Sequence, residues 1–213
     1  MKDVIAAIRS GDDQRLVELV ASDSSHARAR DENGVSALLL ALYHGREAAV
    51  SALRAAVADL DLFEAAALGD AGRLVELLDA DPELVNRYSP DGFTPLQLAS
   101  FFGRPGAAAL LLERGAESSA VAKNVMRVAA LHSAAAARET GIVRLLLDNG
   151  ADPNAQQEGG FTALHAAAQH GDRELAELLL GRGADPSLAN DAGETPADTA
   201  AASGHGELAD ALR

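Results

Sequence analysis

The chain has no cysteine and no tryptophan, and its 213 residues include only two tyrosines, five phenylalanines and two methionines. Without cysteine, a disulfide framework, a thiol nucleophile and a thiolate metal site are all excluded. A reducing compartment suits such a chain, and the cytoplasm is the expected location. Cations are scarce as well: 18 Lys and Arg face 32 Asp and Glu, a net charge of −14. Phosphate affinity comes mostly from Lys and Arg, so a nucleic-acid partner is not expected. No apolar run approaches the roughly 18–20 residues of a membrane span, so no membrane association is expected. Residues 1–10 include Asp3 and Arg9 and have no long apolar centre, unlike a signal peptide.

Alanine and leucine are plentiful. The chain is 48% hydrophobic but only 3% aromatic. That composition is too apolar for disorder and too poor in Val, Ile, Thr, Tyr and Phe for a large sheet. It points to thin helices packed closely through small side chains.

Self-comparison gives the organisation. Glycines close short helical patterns at Gly11, Gly45, Gly69, Gly103, Gly171 and Gly204, with Arg138 in the corresponding place. Their spacings are 34, 24, 34, 35, 33 and 33 residues. A period of this size marks a solenoid, in which each unit buries its apolar face only against its neighbours. The local sequence narrows the type. Residues 161–171 read FTALHAAAQHG and residues 93–103 read FTPLQLASFFG. Leucine-rich helices follow, ending in LLERGAE, LLDNGADPN and LLGRGADPS.

These segments closely resemble the ankyrin repeat, whose hallmark is T-P-L-H-x-A. The resemblance covers essentially the whole chain and implies an all-α solenoid of about seven helix pairs with short β-hairpin fingers. Each motif residue has a physical reading. Thr94, Thr162 and Thr195 are placed to N-cap the first helix. Pro95 and Pro196 suit the first turn, where no backbone donor is needed. Gly115, Gly150 and Gly183 fit the left-handed residue that ends a helix.

A longer duplication underlies the array. At a shift of 58 residues, Gly11-Asp12 falls on Gly69-Asp70, Arg15 to Leu19 on Arg73 to Leu77, and Gly45-Arg46 on Gly103-Arg104. The 24-residue spacing lacks about ten residues relative to its neighbours, so one finger is expected to be deleted near residue 59. That deletion should leave a gap in the finger row. The expected units are an N-terminal cap at 1–30, duplicated-block repeats at 31–58 and 59–90, full repeats at 91–125, 126–157 and 158–190, and a C-terminal cap at 191–213.

The unit after Met126 matches least. Ala129-Ala130 replaces Thr-Pro, Arg127 stands where other units have Gly92 and Gly160, and Arg138 replaces the closing glycine. Its finger, at 121–128, is expected to be irregular.

Catalytic patterns are lacking: no G-x-S-x-G, G-x-G-x-x-G or Walker sequence is present. His132 and His165 occupy the T-P-L-H histidine place, where a hydrogen bond to the next finger is the bland reading. A metal-dependent or enzymatic use of the region around His132, His165 and His170 is the sharper alternative. Another is a structural or self-assembling array, which the polar C-terminal cap argues against. No cofactor is expected, and the chain is expected to be a monomer.

The aromatics suggest a different role. In ankyrin arrays, partners usually contact the finger tips and the exposed end of the first helix. In this register those places hold Tyr43, His44, Phe93, Phe101, Phe102, Phe161, Gln169 and His170. Met126 flanks them, and Lys123 and Arg127 supply a local positive charge. Two roles are open to the rings: anchoring a protein partner, or packing along their own hairpins. The leading expectation is a non-catalytic module that binds a protein through its concave face.

Overall fold

A computed structural model describes residues 1–213. Fourteen α-helices follow one another in consecutive antiparallel pairs. They are α1 (Lys2–Ser10) with α2 (Asp13–Ser22), α3 (Ala37–Tyr43) with α4 (Glu47–Ala56), and α5 (Leu62–Leu68) with α6 (Ala71–Ala80). Next come α7 (Pro95–Phe101) with α8 (Pro105–Glu113), and α9 (Ala130–Ala136) with α10 (Thr140–Asp148). Last are α11 (Ala163–Gln169) with α12 (Arg173–Gly181), and α13 (Pro196–Ala202) with α14 (Gly206–Ala211). The odd-numbered helices pack side by side as an inner row, and even-numbered neighbours pack behind them. No helix is long and apolar enough to cross a membrane.

The two rows bury different side chains. Inner helices bury alanines such as Ala65, Ala66, Ala67, Ala167 and Ala168, so adjacent backbones approach closely. Outer helices bury one stripe at i, i+4 spacing: Leu74 and Leu78, Ile142 and Leu146, Leu175 and Leu179. That stripe meets the inner row while the opposite face stays polar. Both sets join a single continuous core.

The turn within each pair requires a left-handed residue. Gly69 takes φ +78 there, and its amide donates to the Ala66 carbonyl. Arg138 fills the same turn with φ +61, a conformation L side chains rarely adopt.

Two expectations about the fingers are corrected. They are not hairpin strands: the only β-bridges are Arg30 with Ser36 and Val121 with Ala129. Most fingers are closed by one amide four residues from its acceptor, as in Ser89 to Phe93 and Gln157 to Phe161. A helix starts within two residues of the closure, at Pro95 and Ala163, so no ladder extends from it. Each finger leans on the next instead, through Lys123 N–H to the Gly92 carbonyl, Glu158 N–H to Met126 and Asp191 N–H to Gly159.

The second correction concerns the gap. Residues 57–61 alone join α4 to α5, and Asp61 caps α5 in a capping box with Glu64. The row does not stay open there. Tyr43 reaches across to the next finger, donating a 2.8 Å hydrogen bond to Asp91 Oδ2. Gly34 also lies against Pro90, where an added Cβ would sit 3.5 Å from the proline ring.

Candidate protein-binding groove

Tyr43 is the last residue of α3 and Phe101 the last of α7, with Phe102 capping α7. Their rings gather because no finger stands between α3 and the finger that carries Phe93. Tyr43 lies 5.5 Å from Phe102, 6.2 Å from Phe101 and 6.5 Å from Phe93, centroid to centroid. Phe101 and Phe102 meet edge to face at 5.0 Å, an arrangement favoured by the ring quadrupoles.

The polar end of this cluster is fixed. Asp91 accepts from the Tyr43 hydroxyl and, through Oδ1, from the buried Ser89 hydroxyl. Ser89 Oγ accepts in turn from the Phe93 amide at 3.0 Å. Burial, reinforced by the Asp91 charge, raises the Tyr43 pKa, so the phenol keeps its proton and its donor role.

Beside the cluster an open hollow of about 480 Å³ is cut into the surface. Tyr43, Phe93 and Phe101 line it together with Met126, Val128 and Ala136, and Gln97 and Gln157 add amides. Phe101 and Met126 are about half exposed, at 47% and 49%. Size and apolar lining fall within the range of ligand pockets and interface hot spots.

Residues 62–157 and 131–213 match a family model described as ankyrin repeats (3 copies). The chain belongs to the ankyrin-repeat family. A 103-residue segment, 48% of the chain, is 35% identical to "Ankyrin repeat and SAM domain-containing protein 6" of Rattus norvegicus and of Mus musculus. It spans 12% of each of those proteins. A 74-residue segment, 35% of the chain, is 42% identical to the human "DNA-binding protein RFXANK", of which it spans 28%.

Within this ankyrin array the T-P-L-H histidines serve the scaffold. His132 Nδ1 accepts from the Ala129 amide at 3.1 Å, and Nε2 contacts the Ala155 carbonyl at 2.9 Å. An amide can only donate, so Nδ1 offers its lone pair and Nε2 carries the proton. His165 repeats this with the Thr162 amide and the Glu194 carbonyl. Neither ring keeps a lone pair for a metal. Burial lowers both pKa values and keeps the rings neutral. Gln97 does the same work with an amide, donating to Ala120 and Val128.

Thr162 departs from its expected role. Thr94 and Thr195 accept the backbone amides of Gln97 and Asp198, but the Thr162 hydroxyl bonds the His165 ring at 2.9 Å. The Thr195 hydroxyl also meets the side chain three residues on, donating to Asp198 Oδ2 at 2.7 Å.

The structure divides the sequence-predicted site residues. Tyr43, Phe93, Phe101 and Met126 line the hollow. Tyr43 and Phe102 are half-buried in the ring cluster rather than free in a groove. His44 and His170 are the exposed C-caps of α3 and α11, with Gln169 exposed beside His170. Phe161, 38% exposed, stands edge-on to His165 at 5.6 Å. Lys123 places its ammonium 3.9 Å from the Tyr88 ring centroid, and Arg127 is exposed on the same finger.

Sequence reasoning missed Asp91, Val128, Ala136 and Val125. Val125 is the most exposed large apolar side chain, at 86%. Its signal was the long spacing before Arg138. The Ala122 amide bonds the Val128 carbonyl six residues on, where the other fingers span four. Two extra residues therefore sit at this tip.

Proposed function

We propose that the chain is a non-catalytic protein-binding module whose concave face docks a partner at the hollow beside Tyr43. The observation that carries this reading is the half-exposed pair Phe101 and Met126 flanking an apolar hollow of about 480 Å³. Apolar surface of this kind, rimmed by polar fingers, is what an interface hot spot uses. The surrounding hydrogen bonds hold the walls in place, so docking requires little rearrangement. Phe161, Gln169 and His170 extend the same face toward the C-terminus, and His44 extends it past Tyr43.

In this reading the seven helix pairs act as one domain, capped at 1–30 and 191–213. It works as a monomer in the cytoplasm, without a cofactor and without binding nucleic acid. The bonded nitrogens of His132 and His165 favour this over a metal-dependent use of that region.

The test is recovery of partners from the native host, read by mass spectrometry, with wild type against Phe101→Ala/Met126→Ala. Both side chains are exposed enough to be truncated without emptying the core. The expected outcome is loss of the wild-type-specific partner from a variant with unchanged circular dichroism. Equal recovery by the folded double variant would sink the assignment.

A further inference from the structure

Most cations in this acidic chain are already engaged by carboxylates: twelve of the 18 Lys and Arg take part in ion pairs. Lys123 and Arg127 do not. Both lie on the finger of residues 121–129, whose tip is lengthened by two residues and projects Val125 and Met126. Met126 and Val128 of that finger also line the hollow. Positive charge unpaired with any carboxylate, Arg127 alone and Lys123 resting on the Tyr88 ring, thus borders apolar surface in a protein of net charge −14.

Backbone geometry adds an independent observation. Gly34, Gly92, Gly160 and Gly193 hold the same finger position at φ +86, +86, +75 and +81. Arg127 holds it at φ +48, where a glycine would sit without strain. A strained residue whose side chain meets no partner inside the fold points to a use outside it. The acids nearby are differently placed. Both oxygens of Asp91 accept internal hydrogen bonds, and Glu158 on the following finger forms no ion pair.

We infer that the finger and hollow recognise a carboxylate-rich peptide segment of a protein partner, with a large apolar side chain seated beside Phe101 and acidic residues meeting Lys123 and Arg127. The inference rests on the groove reading above and adds the partner's chemistry to it. Two cations are too few for nucleic-acid affinity built on phosphate contacts, whereas a short acidic motif needs no more.

The test is selection of a random 12-residue phage-displayed peptide library against the folded protein. It is repeated with Lys123→Glu/Arg127→Glu and with Phe101→Ala, each checked by circular dichroism. Peptides joining a large apolar residue to Asp or Glu are expected. They should lose about two- to thirtyfold in affinity against the charge-reversal variant, as two ion pairs imply. They should also fail against Phe101→Ala. Peptides that need Phe101 but show no acidic preference would overturn this inference and leave the groove reading standing. Absence of any Phe101-dependent peptide would overturn both.

Discussion

Two arginines occupy backbone positions made for glycine. Arg138 holds the turn between α9 and α10 at φ +61, and its contact with Asp172 is a 3.4 Å pair on an exposed guanidinium. Relief of left-handed strain outweighs the extra freedom glycine gives the unfolded chain. Arg138→Gly is therefore expected to raise stability by about 0.5–1 kcal/mol, read as a higher urea midpoint; a lower midpoint would contradict it. The buried histidines act in the opposite direction on acidification. Burial depresses the pKa of His132 and His165 in the folded chain, so the unfolded chain binds protons more readily. Their contribution is complete above the ordinary histidine value of about 6.5 and is lost as pH falls through the folded values. Glu64, whose pKa burial raises, contributes with the opposite sign. Urea midpoints at pH 7.5 and 5.5 should fall less for His132→Gln/His165→Gln than for wild type, since Gln97 shows an amide filling the same place. An identical fall in both would refute the assignment.

Elements built from local rules were legible in the sequence. Gly69 ends α5, Thr94 caps α7, and Leu175 and Leu179 fall on the buried stripe of α12, all read from neighbours within four residues. The failures are non-local. Tyr43 meets Asp91 across 48 residues, and the Thr162 hydroxyl chooses between an amide and a ring by geometry that no spacing encodes. The fingers lack strands because a helix begins within two residues of the closure, as at Pro95 after Phe93 and Ala163 after Phe161. The short link is itself held by side chains. Asp61 accepts the Phe63 and Glu64 amides and pairs with Arg30 at 2.9 Å. Asp61→Ala uncaps α5 and is expected to lower stability by about 1–2 kcal/mol. Chemical denaturation measures it, and a loss well under half a kcal/mol would show that the link does not depend on its cap.

For the whole molecule, stability is a chain of neighbour-to-neighbour contacts. Each inner helix packs on the next, and the terminal helix α14 has six residues, one neighbouring pair and no side-chain N-cap bond. Hydrogen exchange should therefore be fastest in α13 and α14 and slowest from α5 to α9, where both sides are covered. Uniform protection from end to end would instead mean one all-or-none unit.

The short link between α4 and α5 has a mechanical consequence. Because no finger stands over α5, side chains of α3, α7 and α9 share one cavity wall across the intervening layer. The volume of that cavity then depends on how the stack bends: opening the arc separates Tyr43 from Phe101, and closing it squeezes Met126 against both. The hollow is in effect a gauge of the solenoid's curvature. A side chain seated in it would stiffen the arc around itself, and a force along the array would be felt as a change in grip.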